Sequence, residues 1–104
     1  MKRTSYKLED RTLIVGLGSE LDHHNVSIIN KELSKYLQMY IIKNIIFDFN
    51  DVTFMDSSGI GLVMGGYKQA VVYGGSVMLS NISERVDRIF AFSGVYRFVS
   101  KVEI

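Results

Sequence analysis

Two adjacent serines beside a carboxylate are the residues of this chain best placed for chemistry. They lie in the segment Phe54-Met55-Asp56-Ser57-Ser58-Gly59-Ile60-Gly61, which joins an apolar, strand-like run to a glycine-rich helical pattern. A serine at such a junction can cap the helix by accepting a hydrogen bond from its first amides. Its hydroxyl can equally stay at the surface as a phosphorylation site, where phosphate adds about −1.5 to −2 charges at neutral pH. The sequence is compatible with both roles.

Ser57 does not match the nucleophile pattern of serine hydrolases. That pattern is Gly-x-Ser-x-Gly, and Met55 stands where the first glycine belongs. The two histidines, His23 and His24, could approach Ser57 in the fold, but nothing in the sequence shows that they do. A hydrolase or small-molecule binder using the glycine-rich helix therefore remains a weak alternative. Loss of esterase activity in Ser57→Ala would support it.

The same two histidines do not predict a metal site. Adjacent side chains point in different directions on a helix, and no further His or Cys completes a set of ligands. We interpret His23 and His24 as residues of a helix start that can contribute to a contact surface. We expect neither a metal nor a cofactor.

Four glycines fall within one helical pattern, at Gly59, Gly61, Gly65 and Gly66. Each costs up to about 1 kcal/mol relative to alanine in a helix interior, so together they need a reason. A phosphate-binding loop is excluded, because Tyr67 stands where the lysine after Gly66 would be required. Gly61 and Gly65 share one helix face, which predicts close packing of that face on the sheet or on a neighbouring helix.

Length and composition limit the class of protein. The 104 residues suit one domain, spanning residues 1–104. Twelve basic and eleven acidic residues give a net charge of +1, which argues against a nucleic-acid or anionic-membrane surface. Cysteine is absent, which excludes disulfides and thiolate metal sites, and no signal peptide or membrane span is recognisable. We expect a cytoplasmic protein.

Hydrophobic periodicity predicts the first half of the fold. Residues 4–17 form a β-hairpin, and Asp22 caps a helix near residues 24–40 whose core face recurs every three or four residues. That face consists of Val26, Ile29, Leu33, Leu37 and Tyr40. Residues 44–49 contain a short apolar run bounded by polar residues, which indicates a buried central strand.

The second half repeats the alternation of helix and strand. A helix spans residues 57–73 and ends at Gly74, a strand spans residues 76–80, and Ser83 caps a third helix that Gly94 stops. A last strand is predicted over residues 98–104. The order β-β-α-β-α-β-α-β indicates a single α/β domain with helices packed against a mixed sheet. The alternation of strands and helices implies right-handed crossovers and a partly parallel sheet, which the opening hairpin makes mixed.

The segments together resemble the anti-sigma factor antagonists of the STAS family, over about residues 6–100. Within the family, Asp-Ser-Ser-Gly combined with Tyr-Lys-Gln and Leu-Asp-His-His is most similar to sporulation members that act on the anti-sigma-F kinase. The matching segments are residues 20–24, 44–49, 52–61, 66–69, 81–83, 86–90 and 93–94.

The resemblance implies a partner-switching cycle. The unphosphorylated chain binds an ATP-dependent anti-sigma serine kinase and sigma is released. The kinase then phosphorylates Ser57 and binding is lost, until a PP2C-type phosphatase resets the chain, which is not itself an enzyme. Ser58 has a local structural role. The implied partner-binding residues are Asp22, His23, His24, Asp56, Ser57, Ser58, Gly59, Ile60 and Gly61. The alternative is an antagonist or scaffold in a general-stress sigma circuit.

Three residues depart from the family pattern. Ser19 stands where glycine is usual, which predicts a different loop shape. Gly66 replaces an arginine or another larger residue, so any kinase contact made from that position is lost here. Glu84 replaces a frequent proline, with little expected structural effect.

Overall fold

The computed structural model describes residues 3–103, which form one five-stranded sheet, one two-stranded sheet and three α-helices. The elements are β1 Ser5–Glu9, β2 Thr12–Gly16, β3 Glu20–Leu21, α1 His23–Met39, β4 Asn44–Asp48, β5 Phe54–Met55, α2 Ser58–Val72, β6 Ser76–Ser80, α3 Glu84–Ser93, a 3₁₀ turn Val95–Arg97 and β7 Ser100–Val102.

The larger sheet has the order β1-β2-β4-β6-β7 and is mixed as predicted. β1 and β2 pair antiparallel, and the remaining pairs are parallel. Leu13 and Val15 of β2 are buried, whereas the alternate residues Thr12, Ile14 and Gly16 are part-exposed, so the core lies against one face of this strand. Helix α2 packs on β4 and β6, and α1 packs beside α2. This arrangement confirms the predicted α/β class.

Two short strands were not predicted from the sequence. β3 and β5 have two residues each and pair in parallel, with Glu20 opposite Phe54 and Leu21 opposite Met55. A two-residue strand contains no hydrophobic period, so the pattern used for the other strands cannot detect it. Each strand ends just before a helix, and the pair therefore brings the starts of α1 and α2 together.

The predicted last strand was wrong in its extent. Residues 95–97 form a 3₁₀ turn and β7 covers only Ser100–Val102, while Ile104 lies outside the described residues. Val95 and Val99 are both buried in the core, and a turn after Gly94 is needed to bring them there. Tyr40 also differs from its prediction, since it adopts an extended conformation after α1 and is exposed.

The glycines of α2 pack differently from the prediction. An added Cβ at Gly61 or Gly65 would meet no atom within 4 Å, so these two do not allow close packing. The close approaches are at Gly59, where a Cβ would overlap the Met55 side chain, and at Gly66, where it would lie 3.1 Å from the Phe47 ring. The close packing of α2 is therefore at Gly59 and Gly66 and not at Gly61 and Gly65.

No helix within residues 3–103 is long and apolar enough to cross a membrane.

Candidate functional site

The site is assembled by the short β3–β5 pair. The Ser19 carbonyl accepts hydrogen bonds from the Thr53 and Phe54 amides at 2.8 and 3.2 Å, and the Leu21 carbonyl accepts from the Asp56 amide at 3.3 Å. These bonds fix the segment before α2 against the segment before α1. Ser19, one of the departures from the family pattern, contributes its backbone carbonyl to this junction.

Asp56, rather than either serine, caps α2. Its Oδ1 accepts a hydrogen bond from the Ser58 amide at 2.8 Å, and its carbonyl accepts from the Gly59 amide at 3.1 Å. Ser57 already has helical dihedrals, φ −62° and ψ −15°, and makes no side-chain cap bond. A side-chain cap normally needs an extended conformation at the capping residue. The expectation that Ser57 or Ser58 caps this helix is therefore wrong.

The Ser57 hydroxyl is exposed and makes no hydrogen bond to any residue of the 3–103 range. Its carbonyl is used in the backbone, where it accepts from the Ile60 amide at 3.1 Å. The residue is thus held by the main chain of a helix start while its side chain remains available. Ser58 is part-buried, and its amide is bound to Asp56.

Asp22 caps α1 as predicted, since its Oδ1 accepts from the Asn25 amide at 2.8 Å. The nine predicted contact residues lie in the two neighbouring helix starts but differ in exposure. His23, His24, Ser57 and Gly61 are exposed, Asp22, Asp56, Ser58 and Ile60 are part-buried, and Gly59 is buried. The exposed members could contact a partner directly, whereas the others support the backbone beneath them.

A shallow groove of about 480 Å³ runs between the starts of α1 and α2. Ser58 and Gly61 line it from α2, and His23, Asn30 and Lys31 are among the residues that line it from α1. Gly61 contributes no side chain to this side of α2. Sequence reasoning missed Asn30 and Lys31, because it predicts which face of α1 is buried but not which helix lies beside it.

The histidines, Gly66 and Glu84 were also singled out in the sequence. Within the described range, no hydrogen bond joins either histidine to Ser57, and no group of three or more His, Asp or Glu residues could hold a metal ion. Gly66 is buried against Phe47, so position 66 belongs to the core and not to the contact face expected from its departure. Glu84 begins α3 and pairs with Arg88 at 3.0 Å.

Two titratable groups at the end of the chain have shifted pKa values. Hydrogen bonds from Tyr96 and Lys101 hold the pKa of Asp87 below its usual range. Burial, followed by the Asp87 contact, raises the pKa of Tyr96. These bonds join α3 to the 3₁₀ turn and β7, and their role is structural.

Comparison with known protein families gives a match over nearly the whole chain. The STAS domain profile matches residues 4–103. An anti-sigma F factor antagonist of Lysinibacillus sphaericus is 36% identical over 84 residues, covering 81% of this chain and 72% of that protein. An antagonist of the same name from Paenibacillus polymyxa is 31% identical, covering 84% and 74%. The anti-sigma-B factor antagonist of Bacillus subtilis is 29% identical, covering 86% and 80%.

Two solved structures of one antagonist match the fold. The anti-sigma factor antagonist SpoIIAA in its unphosphorylated form is 33% identical with a TM-score of 0.85, covering 95% of this chain and 87% of that one. The phosphorylated form of the Bacillus cell fate determinant SpoIIAA is 32% identical with a TM-score of 0.76, covering 95% and 90%.

Proposed function

This chain belongs to the STAS domain family, and from that premise we propose that it is an anti-sigma factor antagonist switched by phosphorylation of Ser57. In the unphosphorylated state it binds an anti-sigma serine kinase, and the sigma factor held by that kinase is released. Phosphate on Ser57 ends the interaction, and a PP2C-type phosphatase restores it. The chain acts in the cytoplasm by binding and catalyses no reaction itself.

The exposed, unbonded Ser57 hydroxyl is the observation that carries the proposal. A kinase can reach this hydroxyl without unfolding the helix start, because Asp56 performs the capping. Phosphorylation therefore removes no hydrogen bond from the fold. The existence of a similar antagonist solved both with and without phosphate supports the same assignment.

The charge of the phosphate explains why binding is lost. The Ser58 amide at the helix start already donates its hydrogen bond to the neighbouring Asp56 carboxylate. A phosphate on Ser57 would therefore gain little stabilisation from interactions within the chain itself. A dianion brought into an interface without matching cations carries a desolvation penalty of several kcal/mol. This desolvation free energy destabilises the complex with the kinase but does not destabilise the fold of the free chain.

The contact face comprises the exposed residues of the two helix starts. His23 and His24 begin α1, and the β3–β5 pair holds the segment before α1 against the segment before α2. Gly61 leaves room for a partner to approach the backbone of α2. Asp22 and Asp56 act indirectly, because their carboxylates hold the first turns of α1 and α2.

We assign the chain to a sporulation circuit rather than a general-stress circuit. The two relatives named for sigma F are 36% and 31% identical, compared with 29% for the relative named for sigma B. The rival circuit remains testable by examining which kinase and sigma genes lie beside the gene for this chain. A gene for a sigma-B type anti-sigma kinase beside the gene for this chain would assign the chain to a general-stress circuit instead.

The direct test is incubation with the cognate anti-sigma kinase and ATP, followed by peptide mass spectrometry. We expect one phosphate on Ser57, and none in the Ser57→Ala variant. Absence of phosphate from residues 57–58 would exclude the switch. Ester hydrolysis that disappears in Ser57→Ala would instead support the hydrolase alternative.

A further inference from the structure

The exposed part of the contact face is small for a protein that binds a kinase. Of the nine predicted contact residues, four are exposed, namely His23, His24, Ser57 and Gly61. A stable protein–protein interface takes about 20–30 residues from each partner. A kinase that reaches Ser57 must therefore also cover surface beyond these four residues.

The groove between the starts of α1 and α2 continues the contact face along both helices. Ser58 and Gly61 line it from α2, and Gly65 follows Gly61 by one turn on the same side of that helix. A Cβ added at Gly61 or Gly65 would meet no atom of residues 3–103 within 4 Å, although glycine destabilises a helix relative to alanine. Packing within the described chain therefore does not explain these two glycines, whereas a partner that lies close to the α2 backbone does.

The α1 side of the groove carries a cation that the fold does not pair. His23, Ser27 and Lys31 recur every four residues and share one face of α1, and all three line the groove. Lys31 is exposed, and its ammonium forms no ion pair or hydrogen bond with another residue of the 3–103 range. Since no carboxylate occurs among the described residues that line the groove, the charge of Lys31 is not offset there.

The carboxylates on and beside these helices are engaged away from Lys31. Glu32 accepts a hydrogen bond from the Tyr6 hydroxyl of β1 at 2.9 Å. Asp22 and Asp56 cap the starts of α1 and α2, and Asp22 precedes Lys31 by about two and a half helical turns. Helix α2 contains no acidic residue. Because an unpaired charge is costly to bury, a partner that covers the groove has to supply a carboxylate of its own.

We propose that the anti-sigma kinase also occupies this groove and that Lys31 pairs there with an Asp or Glu of the kinase. The pairing rests on the proposed function, because it assigns the same partner to a surface continuous with Ser57. A kinase segment along the groove lies against the α2 backbone at Gly61 and Gly65 and brings its carboxylate to the Lys31 ammonium. Charge pairs across an interface fix its register and exclude wrong partners. Lys31 is therefore a residue that selects which anti-sigma kinase this chain binds.

The first test measures the affinity of the kinase for charge-reversal variants of the full chain, without nucleotide. Lys31→Glu should weaken binding at least about tenfold, because it replaces an attractive charge pair in the interface by a repulsive one. The matched control is Lys35→Glu, which makes the same change one turn later on α1, at an exposed residue outside the groove, and should bind as the unmodified chain does. Urea denaturation should show little change in either variant, because neither lysine is paired within the described chain.

A second test identifies the partner charge. Acidic surface residues of the kinase are changed to lysine one at a time, and each kinase variant is titrated with the unmodified chain and with Lys31→Glu. One kinase variant should bind the unmodified chain weakly and Lys31→Glu more tightly, because the exchanged charges restore the pair. A merely structural role of Lys31 would give no such rescue, and absence of rescue by every kinase variant would overturn the pairing.

Gly65→Gln tests the groove independently of charge. Glutamine favours a helix and its Cβ meets open space in the free chain, so stability should not fall. Affinity for the kinase should nevertheless fall several-fold, because the added side chain occupies the space of the kinase segment. The matched control is Val71→Gln, which introduces the same side chain at an exposed residue on another side of α2 and should leave binding unchanged.

Failure of the pairing and failure of the proposed function give different results. If Lys31→Glu binds the kinase and is phosphorylated on Ser57 as the unmodified chain is, the pairing is overturned and the switch stands. Equal losses of affinity in Lys31→Glu and Lys35→Glu would also overturn it, since they would indicate a general attraction between the two proteins. If the unmodified chain neither binds the kinase nor receives phosphate on Ser57, the proposed function fails and the pairing fails with it.

Discussion

A serine stands immediately before α2 and another immediately before α3, but the two serines are used differently. Ser83 has an extended conformation, φ −71° and ψ 160°, and its hydroxyl accepts a hydrogen bond from the Val86 amide at 3.3 Å. Ser57 is helical, and Asp56 before it provides the cap. At α3 the serine hydroxyl is part of the fold, whereas at α2 the preceding carboxylate leaves the hydroxyl available. A modifiable serine at a helix start thus depends on a second residue that caps the helix.

The largest expected effect concerns binding to the kinase. Ser57→Asp should weaken affinity at least about a hundredfold, because it places an unpaired charge in the interface. Ser57→Ala should bind as the unphosphorylated chain does and remain in the complex in the presence of ATP. Titration calorimetry without nucleotide measures both affinities, and the same titration with ATP tests whether Ser57→Ala remains bound. The control is Ser83→Asp, which adds the same charge at the start of α3 and preserves a capping oxygen. Equal affinities for Ser57→Asp and Ser57→Ala would refute the charge argument.

The second effect concerns the caps themselves. Asp56→Ala and Ser83→Ala should each lower the free energy of unfolding by about 1 kcal/mol, because each removes the side-chain oxygen that caps a helix. Ser57→Ala should change it by less than about 0.5 kcal/mol. Urea denaturation monitored by circular dichroism distinguishes these cases. A loss in Ser57→Ala as large as that in Ser83→Ala would mean that Ser57 does cap α2.

A smaller effect separates the two kinds of glycine in α2. Gly61→Ala should raise the free energy of unfolding by up to about 1 kcal/mol, since alanine favours a helix and the added methyl group meets open space. Gly66→Ala should gain less or lose stability, because its methyl group would lie 3.1 Å from the Phe47 ring. The same denaturation experiment compares them, and a larger gain at Gly66 would contradict the observed orientation of α2.

The smallest effect is a pH dependence at α3. The lowered pKa of Asp87 means that its carboxylate adds stability at neutral pH, and that this contribution is lost as pH falls through the folded-state pKa, which lies below the usual value of 3.8. Asp87→Asn should therefore melt at a lower temperature than the unmodified chain at neutral pH, and the gap should close in acid. Tyr96→Phe should narrow the gap by removing the principal hydrogen bond. If the melting temperatures of Asp87→Asn and the unmodified chain differed by the same amount at neutral and at acid pH, the ionised Asp87 carboxylate would not be the source of this stability.

Structural features that depend only on residues close together in the chain could be predicted from the sequence. The caps at Asp22 and Ser83, the left-handed Gly74 and the end of α3 at Gly94 were predicted correctly, because each is determined within one turn of chain. Regular periodicity likewise located the three helices and the central strands.

The remaining features depend on tertiary contacts that one sequence does not encode locally. Asp56 and Ser57 are adjacent candidates for one cap, and the β3–β5 pairing that holds the Asp56 amide is too short to detect from periodicity. Which glycines of α2 face the sheet depends on the rotation of the helix about its axis. The groove beside Ser58 depends on which helix lies next to α1.

The most direct test is the affinity of the kinase for one preparation of the chain in three states. These are the unmodified chain, the chain fully phosphorylated on Ser57, and the same chain after treatment with a PP2C-type phosphatase. We expect tight binding, a loss of at least about a hundredfold, and full recovery. Equal affinity in all three states, with phosphate verified on Ser57 by mass spectrometry, would contradict the switch.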